Sequence, residues 1–112
     1  MDKTVMNVLI IEPNKEPYTK QIPKNLDALR KILGNDIIEV IEYDENALIV
    51  YDDSALLDGL PINRYIDNKA IRGNFIITGN DTKTRDFADI TQEQIEKYTQ
   101  QFSLEQEVEL EF

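Results

Sequence analysis

The sequence predicts an α+β fold, with a mainly antiparallel sheet of about five strands and two helices packed against it in a single domain. Three observations indicate this class. Short apolar runs are separated by turn residues, two segments carry apolar residues at helical spacing, and 112 residues with 41% apolar content can form one core but not two. We assign residues 1–103 to the domain and residues 104–112 to an acidic C-terminal strand or tail.

The N-terminal segment predicts a hairpin. Thr4–Glu12 is rich in Val, Ile and Leu, a composition typical of a strand that is buried on both faces or nearly so. Pro13 and Asn14 then favour a turn. Tyr18–Ile22 alternates in polarity as a short partner strand would, so we expect it to pair with the first strand.

The next segment predicts a short helix with defined ends. Asn25 suits the N-cap position, because its side-chain oxygen can accept a hydrogen bond from a free N–H of the first turn. Gly34 suits the left-handed residue that ends a helix. A helix of about nine residues does not persist alone in water, so we expect it to pack on the sheet. Its apolar face consists of Leu26, Leu29, Ile32 and Leu33.

The middle of the chain predicts a second hairpin and a central strand. Asp36–Tyr43 and Ala47–Tyr51 are apolar-rich runs joined by an acidic turn, and Asn74–Thr78 is an apolar strand between two glycines. We expect Asp52–Ile71 to be irregular or to hold short helical turns, and Asn80–Asp89 to be a polar loop.

Thr91 opens the second predicted helix. Thr91 and Gln94 have the spacing of a capping box, in which each side chain bonds to the main chain of the other residue. Ile95, Tyr98 and Phe102 fall on one face of this helix. Together, the apolar faces of these elements predict one core that contains Leu9, Leu29, Ile38, Ile49, Ile76 and Tyr98.

The end of the chain carries a row of carboxylates. A glutamate occupies every second position of the final acidic stretch in Leu104–Phe112, which in a strand places the acids on one face. The row can dock a basic groove, or it can keep an exposed edge strand from pairing with other chains, and the second role is favoured. The candidate docking residues are Glu105, Glu107, Glu109 and Glu111.

The chain is strongly acidic, and its charge is uneven. The net charge is −10, which repels nucleic acid and attracts basic proteins, so we expect no direct nucleic-acid binding. Eight acidic residues and no basic residue lie from Asp36 to Asp58, whereas basic residues gather in Lys15–Lys31 and Arg64–Arg85. Solubility alone is the other explanation for this acidity.

The composition argues against catalysis. The chain has no cysteine and no histidine, which removes thiol nucleophiles, the usual zinc and haem ligands and the commonest proton-transfer group. Neighbouring acids such as Asp52 and Asp53 are interpreted as a solvated turn. No stretch reaches the roughly 20 apolar residues of a membrane span. We therefore expect a cytoplasmic protein without enzymatic activity, catalytic residues, metal, cofactor or membrane contact.

The Gly59–Arg64 segment is the best candidate for a binding site. Gly59 and Pro61 fix the backbone path, and Asn63 and Arg64 follow with a fork of hydrogen-bond donors suited to a carboxylate, phosphate or carbonyl group. The alternative is structural, with Asn63 and Arg64 tying this long connection to the body of the domain. Two further arginines flank the predicted central strand and can converge with Arg64 on an anion only if the fold allows it, namely Arg72 and Arg85.

A series of motifs, taken in order, resembles a known family. The series comprises Glu12-Pro13, Leu26-x-x-Leu29, Ile38-Glu39-Val40, Ala47-Leu48-Ile49, Gly59-Leu60-Pro61-x-Asn63-Arg64, Ile71-x-Gly73-x-Phe75 and Thr91-x-Glu93-Gln94-Ile95-x-Lys97-Tyr98. From roughly Asn7 to Phe102 the chain resembles the domain-of-unknown-function family 3846, small proteins common on bacterial phages, plasmids and integrated elements. The resemblance implies a mobile-element setting and no established activity, and it supplies no catalytic residues.

These features predict a non-enzymatic accessory protein of a phage or mobile element. We expect it to bind and inhibit a host protein through its acidic surface, the partner being a defence nuclease or another nucleic-acid-handling enzyme with a basic surface. The alternative is a small-molecule binder that sequesters an anionic nucleotide-type ligand at the Gly59–Arg64 loop. Homo-oligomerisation is left open.

Overall fold

An antiparallel sheet of six strands organises the chain, and a separate two-stranded hairpin packs on one of its faces. The computed structural model describes residues 4–44 and 46–104. The predicted α+β class with two helices is confirmed. In chain order, the elements are β1 (Val5–Ile11), β2 (Tyr18–Pro23), α1 (Leu26–Leu33), β3 (Ile38–Tyr43), β4 (Ala47–Asp52), β5 (Ile62–Ile66), β6 (Lys69–Arg72), β7 (Phe75–Asp81), β8 (Asp86–Ala88) and α2 (Gln92–Gln101).

The order of strands in the main sheet is β2-β1-β7-β4-β3, and β8 pairs with the C-terminal end of β7. The predicted hairpins β1–β2 and β3–β4 are both present and antiparallel. The predicted central strand, β7, lies between β1 and β4. Because β2 and β3 are the outermost strands of this order, each has one side without a strand neighbour among the described residues.

Apolar side chains are buried on both faces of the sheet, which explains the continuous apolar runs in β1, β4 and β7. Helix α1 covers one face, and helix α2 together with the β5–β6 hairpin covers the other. The cluster on the α1 face contains Met6, Val8, Ile10, Ile22, Leu29, Leu33, Val50 and Ile76. The cluster on the α2 face contains Leu9, Ile11, Ala47, Ile49, Ile66, Phe75, Ile77, Ile90, Tyr98 and Phe102.

The expectation of a single core is therefore wrong. Successive residues of a strand point to opposite faces, so the six residues chosen from the sequence divide between the two clusters. Leu9, Ile49 and Tyr98 lie on the α2 face. Leu29, Ile76 and the partly buried Ile38 lie on the α1 face.

The predicted ends of both helices are confirmed where the sequence specified them. Asn25 Oδ1 accepts a hydrogen bond of 2.8 Å from the N–H of Ala28, and Gly34 ends α1 in the left-handed conformation with φ of 72°. The capping box of α2 is complete. Gln94 N donates to Thr91 Oγ1 at 3.1 Å, and Thr91 N donates to Gln94 Oε1 at 2.9 Å.

Two segments predicted to be irregular contain strands, so those predictions are wrong. Within Asp52–Ile71, the chain forms β5 and most of β6, joined by Asp67 and Asn68 with φ of 50° and 68°. Asn and Asp tolerate positive φ better than most residues, so this pair makes the tight hairpin turn without the usual glycine. Within Asn80–Asp89, β7 continues to Asp81 and pairs with β8.

The remaining sequence predictions concern the tail and the membrane. The predicted strand or tail at Leu104–Phe112 lies outside the described residues, except for Leu104. Helix α1 has 8 residues and α2 has 10. Neither helix in the described part of the chain is long enough and apolar enough to cross a membrane.

Candidate functional site

The side chain of Asn63, in the Gly59–Arg64 segment, turns toward the main chain of the domain itself. Asn63 Nδ2 donates one hydrogen bond, of 2.8 Å, to the carbonyl oxygen of Ile11 at the end of β1. It donates a second, of 2.9 Å, to the carbonyl oxygen of Gly73, just before β7. This amide therefore ties β5 to the two adjacent strands β1 and β7 of the main sheet.

Arg64 is buried, with 4% of its surface exposed, and its guanidinium donates hydrogen bonds in several directions. Nε donates a hydrogen bond of 2.9 Å to the carbonyl of Phe102, and Nη2 donates one of 2.7 Å to the carbonyl of Lys15. Nη1 donates to the carbonyl of Asn63 at 3.1 Å and to its side-chain oxygen at 2.7 Å. Arg64 thus braces β5 against the end of α2 and the turn after β1.

The charge of Arg64 is held among neutral carbonyl groups. Burial lowers the pKa of Arg64 below its usual value, and the charge of Glu16 acts in the opposite direction. Glu16 is itself fixed, because one of its carboxylate oxygens accepts a 2.6 Å hydrogen bond from the N–H of Leu104. The contacts of Arg64 are those of an internal brace, as the structural alternative anticipated.

The Gly-Leu-Pro part of the segment packs around Leu60. Gly59 has φ of 71°, and Leu60 N donates 3.0 Å to the carbonyl of Ala55. Gly73 N donates 2.8 Å to the carbonyl of Pro61. A Cβ atom on Gly73 would lie 2.7 Å from Cδ1 of Leu60, so the glycine makes room for the leucine. The motif is therefore a packing unit at the entrance to β5.

The two flanking arginines do not join Arg64 at a common site. Arg72 is bonded within the same region, since its Nη1 donates 3.1 Å to the carbonyl of Leu60. Arg85 lies in the turn between β7 and β8, with φ of 58°. Arg72 precedes the seven-residue strand β7 and Arg85 follows it, which separates them by roughly 20 Å. The structure brings Asn63, Arg64 and Arg72 to one hairpin and places Arg85 elsewhere.

Acidic side chains gather along the β3 edge of the sheet. Glu39 and Glu42 are exposed on β3, and further exposed acids follow α1, β3 and β4. Of the other acids in the Asp36–Asp58 run, Asp52 is buried and Glu45 lies outside the described residues. We call the exposed group the acidic edge, and its members are Asp36, Glu39, Glu42, Asp44, Asp53 and Asp58.

The opposite edge of the sheet carries lysines. Lys20 lies on β2, and Lys15 and Lys24 lie in the connections before and after that strand. Lys24 pairs with Asp86 at 3.3 Å, and Lys15 approaches Glu12 at 3.9 Å. The uneven charge of the sequence therefore becomes a separation in space between an acidic edge at β3 and lysines at β2.

Asp44 connects the acidic edge to α2. Its Oδ2 accepts two hydrogen bonds, one of 2.6 Å from the hydroxyl of Tyr98 and one of 2.9 Å from Nζ of Lys97. The pKa of Asp44 is lowered, mainly by the hydrogen bond from Tyr98 and secondly by that from Lys97. The pKa of Tyr98 is raised, mainly by burial and secondly by its hydrogen bond to Asp44. The acid is thus a tether between the β3–β4 turn and the second helix.

We predict that this tether makes the domain less stable in acid. Because the folded state lowers the pKa of Asp44, its stabilisation is present above the ordinary value of about 4 and is lost as pH falls through the folded value. Asp44→Asn removes this term, and asparagine suits the positive φ of 52° at this position. The melting temperature of Asp44→Asn should therefore decline less steeply below about pH 4 than that of the wild type. Equal slopes in thermal melts would contradict the assignment, with Asp36→Asn as the control for charge alone.

A buried polar cluster fixes the connection after β4, and sequence reasoning missed it. Asp52 is buried rather than part of a solvated turn. Its Oδ1 accepts hydrogen bonds from Asn35 Nδ2 at 2.6 Å and from the N–H and hydroxyl of Ser54 at 2.8 and 3.0 Å. Ser54 Oγ also contacts Asn35 Nδ2 at 2.6 Å and Asp58 Oδ2 at 3.1 Å. The Asp-x-Ser spacing, typical of an Asx turn, was the available signal.

Two other kinds of candidate site, a metal centre and the glutamate row of the tail, are not found among the described residues. Among residues 4–44 and 46–104, no group of three acids is arranged to hold a metal ion. The predicted docking residues Glu105, Glu107, Glu109 and Glu111 lie outside the described part of the chain. The acidic edge at β3 is therefore the candidate binding surface among the residues that the structure describes.

The fold and this surface define a small α+β domain whose distinctive motif is an internal brace and whose charge is carried at the edges of its sheet. The chain belongs to the family described as Domain of unknown function (DUF3846), whose model matches residues 6–103. This match confirms the family predicted from the motifs. Comparison with curated proteins finds no match, and comparison with solved structures finds none.

Proposed function

We propose that this chain is a non-enzymatic accessory protein of a phage or other mobile element that binds and inhibits a host protein through the acidic edge. The partner is a basic nucleic-acid-handling enzyme, such as a defence nuclease, in the cytoplasm of a bacterial host. The observation that carries the proposal is the concentration of exposed carboxylates along one open edge of the sheet.

The carboxylates of this edge are largely uncompensated. Among the described residues, Asp44 has a lysine partner, whereas no lysine or arginine pairs with the side chains of Asp36, Glu39 or Glu42. Like charges placed together raise the free energy of the isolated domain, and a basic partner relieves that cost. Complementary charge also raises the rate of association with such a partner.

The expected class of partner follows from charge. Enzymes that handle nucleic acid carry basic surfaces, because they neutralise phosphates with Lys and Arg. A protein of net charge −10 is repelled by the nucleic acid and attracted to the enzyme. Occupying the basic surface would exclude the substrate, which is a route to inhibition without chemistry.

Sequestration of an anionic nucleotide at the Gly59–Arg64 loop has less support from the geometry. The donors of Asn63 and Arg64 that this ligand would need are engaged with the carbonyls of Ile11, Gly73, Phe102 and Lys15. An anion would have to replace those bonds and open the brace. The acidic edge requires no such rearrangement.

Affinity capture with matched variants tests the proposal. Wild-type protein is immobilised beside Glu39→Gln/Glu42→Gln, and beside Asp67→Asn/Glu96→Gln, which changes the charge equally at exposed positions outside the acidic edge. Glutamine at position 39 keeps an acceptor for the hydroxyl of Tyr51, which bonds to Glu39 at 2.9 Å. Host proteins bound to each column are then compared by quantitative mass spectrometry and assayed for nuclease activity.

We expect a basic host protein to bind the wild type and the control, and to bind the edge variant about 2- to 30-fold more weakly. Its nuclease activity should fall when the wild type is added. Equal capture by the edge variant and the wild type would contradict the proposal. A further variant, in which Glu105, Glu107, Glu109 and Glu111 are all glutamine, separates the tail from the edge. Unchanged binding in that variant would exclude the tail as a docking element.

A further inference from the structure

Two neighbouring leucines are exposed in the connection between β4 and β5. Leu56 is 69% exposed and Leu57 is 89% exposed, in a segment of consecutive turns. We call residues 53–60 the leucine loop. Single exposed apolar residues are common on protein surfaces, but an adjacent pair at the tip of one loop makes a local apolar patch that water solvates poorly.

The leucine loop is held in place rather than left free. Asp58 N donates 3.0 Å to the carbonyl of Ser54, and Leu60 N donates 3.0 Å to that of Ala55, which is buried. The cluster of Asn35, Asp52, Ser54 and Asp58 anchors the base of the loop to the end of α1 and to β4. The exposed leucines therefore sit on a fixed support, which lowers the entropy lost when they bind.

A third exposed apolar residue and several acids lie in the segments that are bonded to the leucine loop or belong to it. Ile37 is 63% exposed and lies between Asn35, which is bonded to the loop, and Ile38, which pairs with Asp52. The acids Asp36, Asp53 and Asp58 belong to the acidic edge and are neighbours of these residues in the chain. An apolar centre with a charged rim is the usual anatomy of a protein–protein interface.

We infer that the leucine loop is the anchor of the interface, and that Leu56 and Leu57 enter an apolar cleft bordered by lysine or arginine on the partner of the acidic edge. The inference rests on the proposed function and adds the part of the surface that supplies most of the affinity. A symmetric dimer through this loop does not fit, because it would bring Asp53 and Asp58 against the same acids of the second copy. The rim selects a basic partner, and the leucines fill its cleft.

The test compares affinities for the host protein recovered on the wild-type column, used as the probe. Leu56→Ser/Leu57→Ser should weaken binding by about 30-fold or more, as expected for an anchor residue. Leu26→Ser, at a residue 43% exposed at the start of α1, should bind as the wild type does. Melting temperatures should stay close to that of the wild type in both variants, because the replaced side chains are exposed.

A photocrosslinker at position 57 identifies what the loop touches. Leu57→p-benzoylphenylalanine should link to a partner peptide in which apolar residues are flanked by Lys or Arg, and Leu26→p-benzoylphenylalanine should give no such product. A link to a second copy of this chain, or none at position 57, would overturn the inference.

The two proposals fail in different ways. If Glu39→Gln/Glu42→Gln weakens binding while Leu56→Ser/Leu57→Ser does not, the inference fails and the proposed function stands. If neither set weakens binding, or the wild-type column recovers no basic host protein, both fail.

Discussion

Arg64→Ala is expected to lower the melting temperature by roughly 12–20 °C. The substitution leaves the carbonyls of Phe102, Lys15 and Asn63, which are buried or partly buried, without their donor, at a cost of about 3–5 kcal/mol in the free energy of unfolding. A domain of this size unfolds with a total free energy of about 5–15 kcal/mol, so the loss is a large share of it. Thermal melts followed by circular dichroism measure the effect.

Two companion variants give this prediction its controls. Arg64→Lys keeps the charge but cannot reach three segments with one planar fork, so it should recover less than half of the lost stability. Arg85→Asn replaces an exposed turn arginine with a residue that tolerates the positive φ of 58°, and should change stability by no more than about 0.5 kcal/mol. If Arg64→Ala keeps the wild-type melting temperature and instead loses affinity for a nucleotide or phosphate, Arg64 is a recognition residue and the brace is wrong.

Leu29→Ala is expected to lower the free energy of unfolding by about 2–5 kcal/mol. Leu29 is fully buried and, with Leu33, is one of the two buried residues of α1, beside which Ala28 and Ile32 also pack. Removing it leaves a cavity between α1 and the sheet and weakens the attachment of a helix that is too short to persist alone. Chemical denaturation monitored by fluorescence or circular dichroism gives the free energy directly.

Leu26→Ala is the matched control for Leu29→Ala, because Leu26 belongs to the same helix but is 43% exposed, whereas Leu29 is fully buried. It should lower the free energy of unfolding by about 1 kcal/mol, because it removes less buried apolar surface. Similar losses in both variants would mean that α1 does not pack on the sheet as described.

The parts of the fold that were predictable are those that local chemistry decides. Asn25, Gly34 and the Thr91–Gln94 pair define helix ends through bonds within a few residues, so their pattern is visible in the sequence. The apolar runs of β1, β4 and β7 likewise indicate buried strands. What these runs do not show is that both faces are covered, since that depends on which face each helix takes.

The β5–β6 hairpin was missed because its sequence does not look like a strand pair. Arg64 is buried in the middle of β5, and the turn uses Asp67-Asn68 rather than a glycine. Besides the adjacent Asn63, the acceptors that compensate the burial of this arginine are remote in the chain, namely the carbonyls of Lys15 and Phe102. A local sequence pattern around Arg64 does not reveal hydrogen-bond acceptors that lie so far away in the chain.

The candidate surface was predictable in its charge but not in its position. The acidic run from Asp36 to Asp58 is plain in the sequence, but only the strand order places it on an edge opposite the lysines of β2. The burial of Asp52 and the exposure of Leu57 reverse what their polarity alone suggests. The burial of Asp52 depends in part on its bond with Asn35, which lies 17 residues away in the chain.

The dependence of the association rate on salt tests the central claim, that the acidic edge docks a basic protein. The rate constant for the captured partner is measured by stopped flow at about 10 mM and about 150 mM salt, where charges are screened over about 30 Å and 8 Å. We expect the wild-type rate to fall at least about tenfold between these conditions, and the rate for Glu39→Gln/Glu42→Gln to fall less. Equal wild-type rates at the two salt concentrations would contradict docking through the acidic edge.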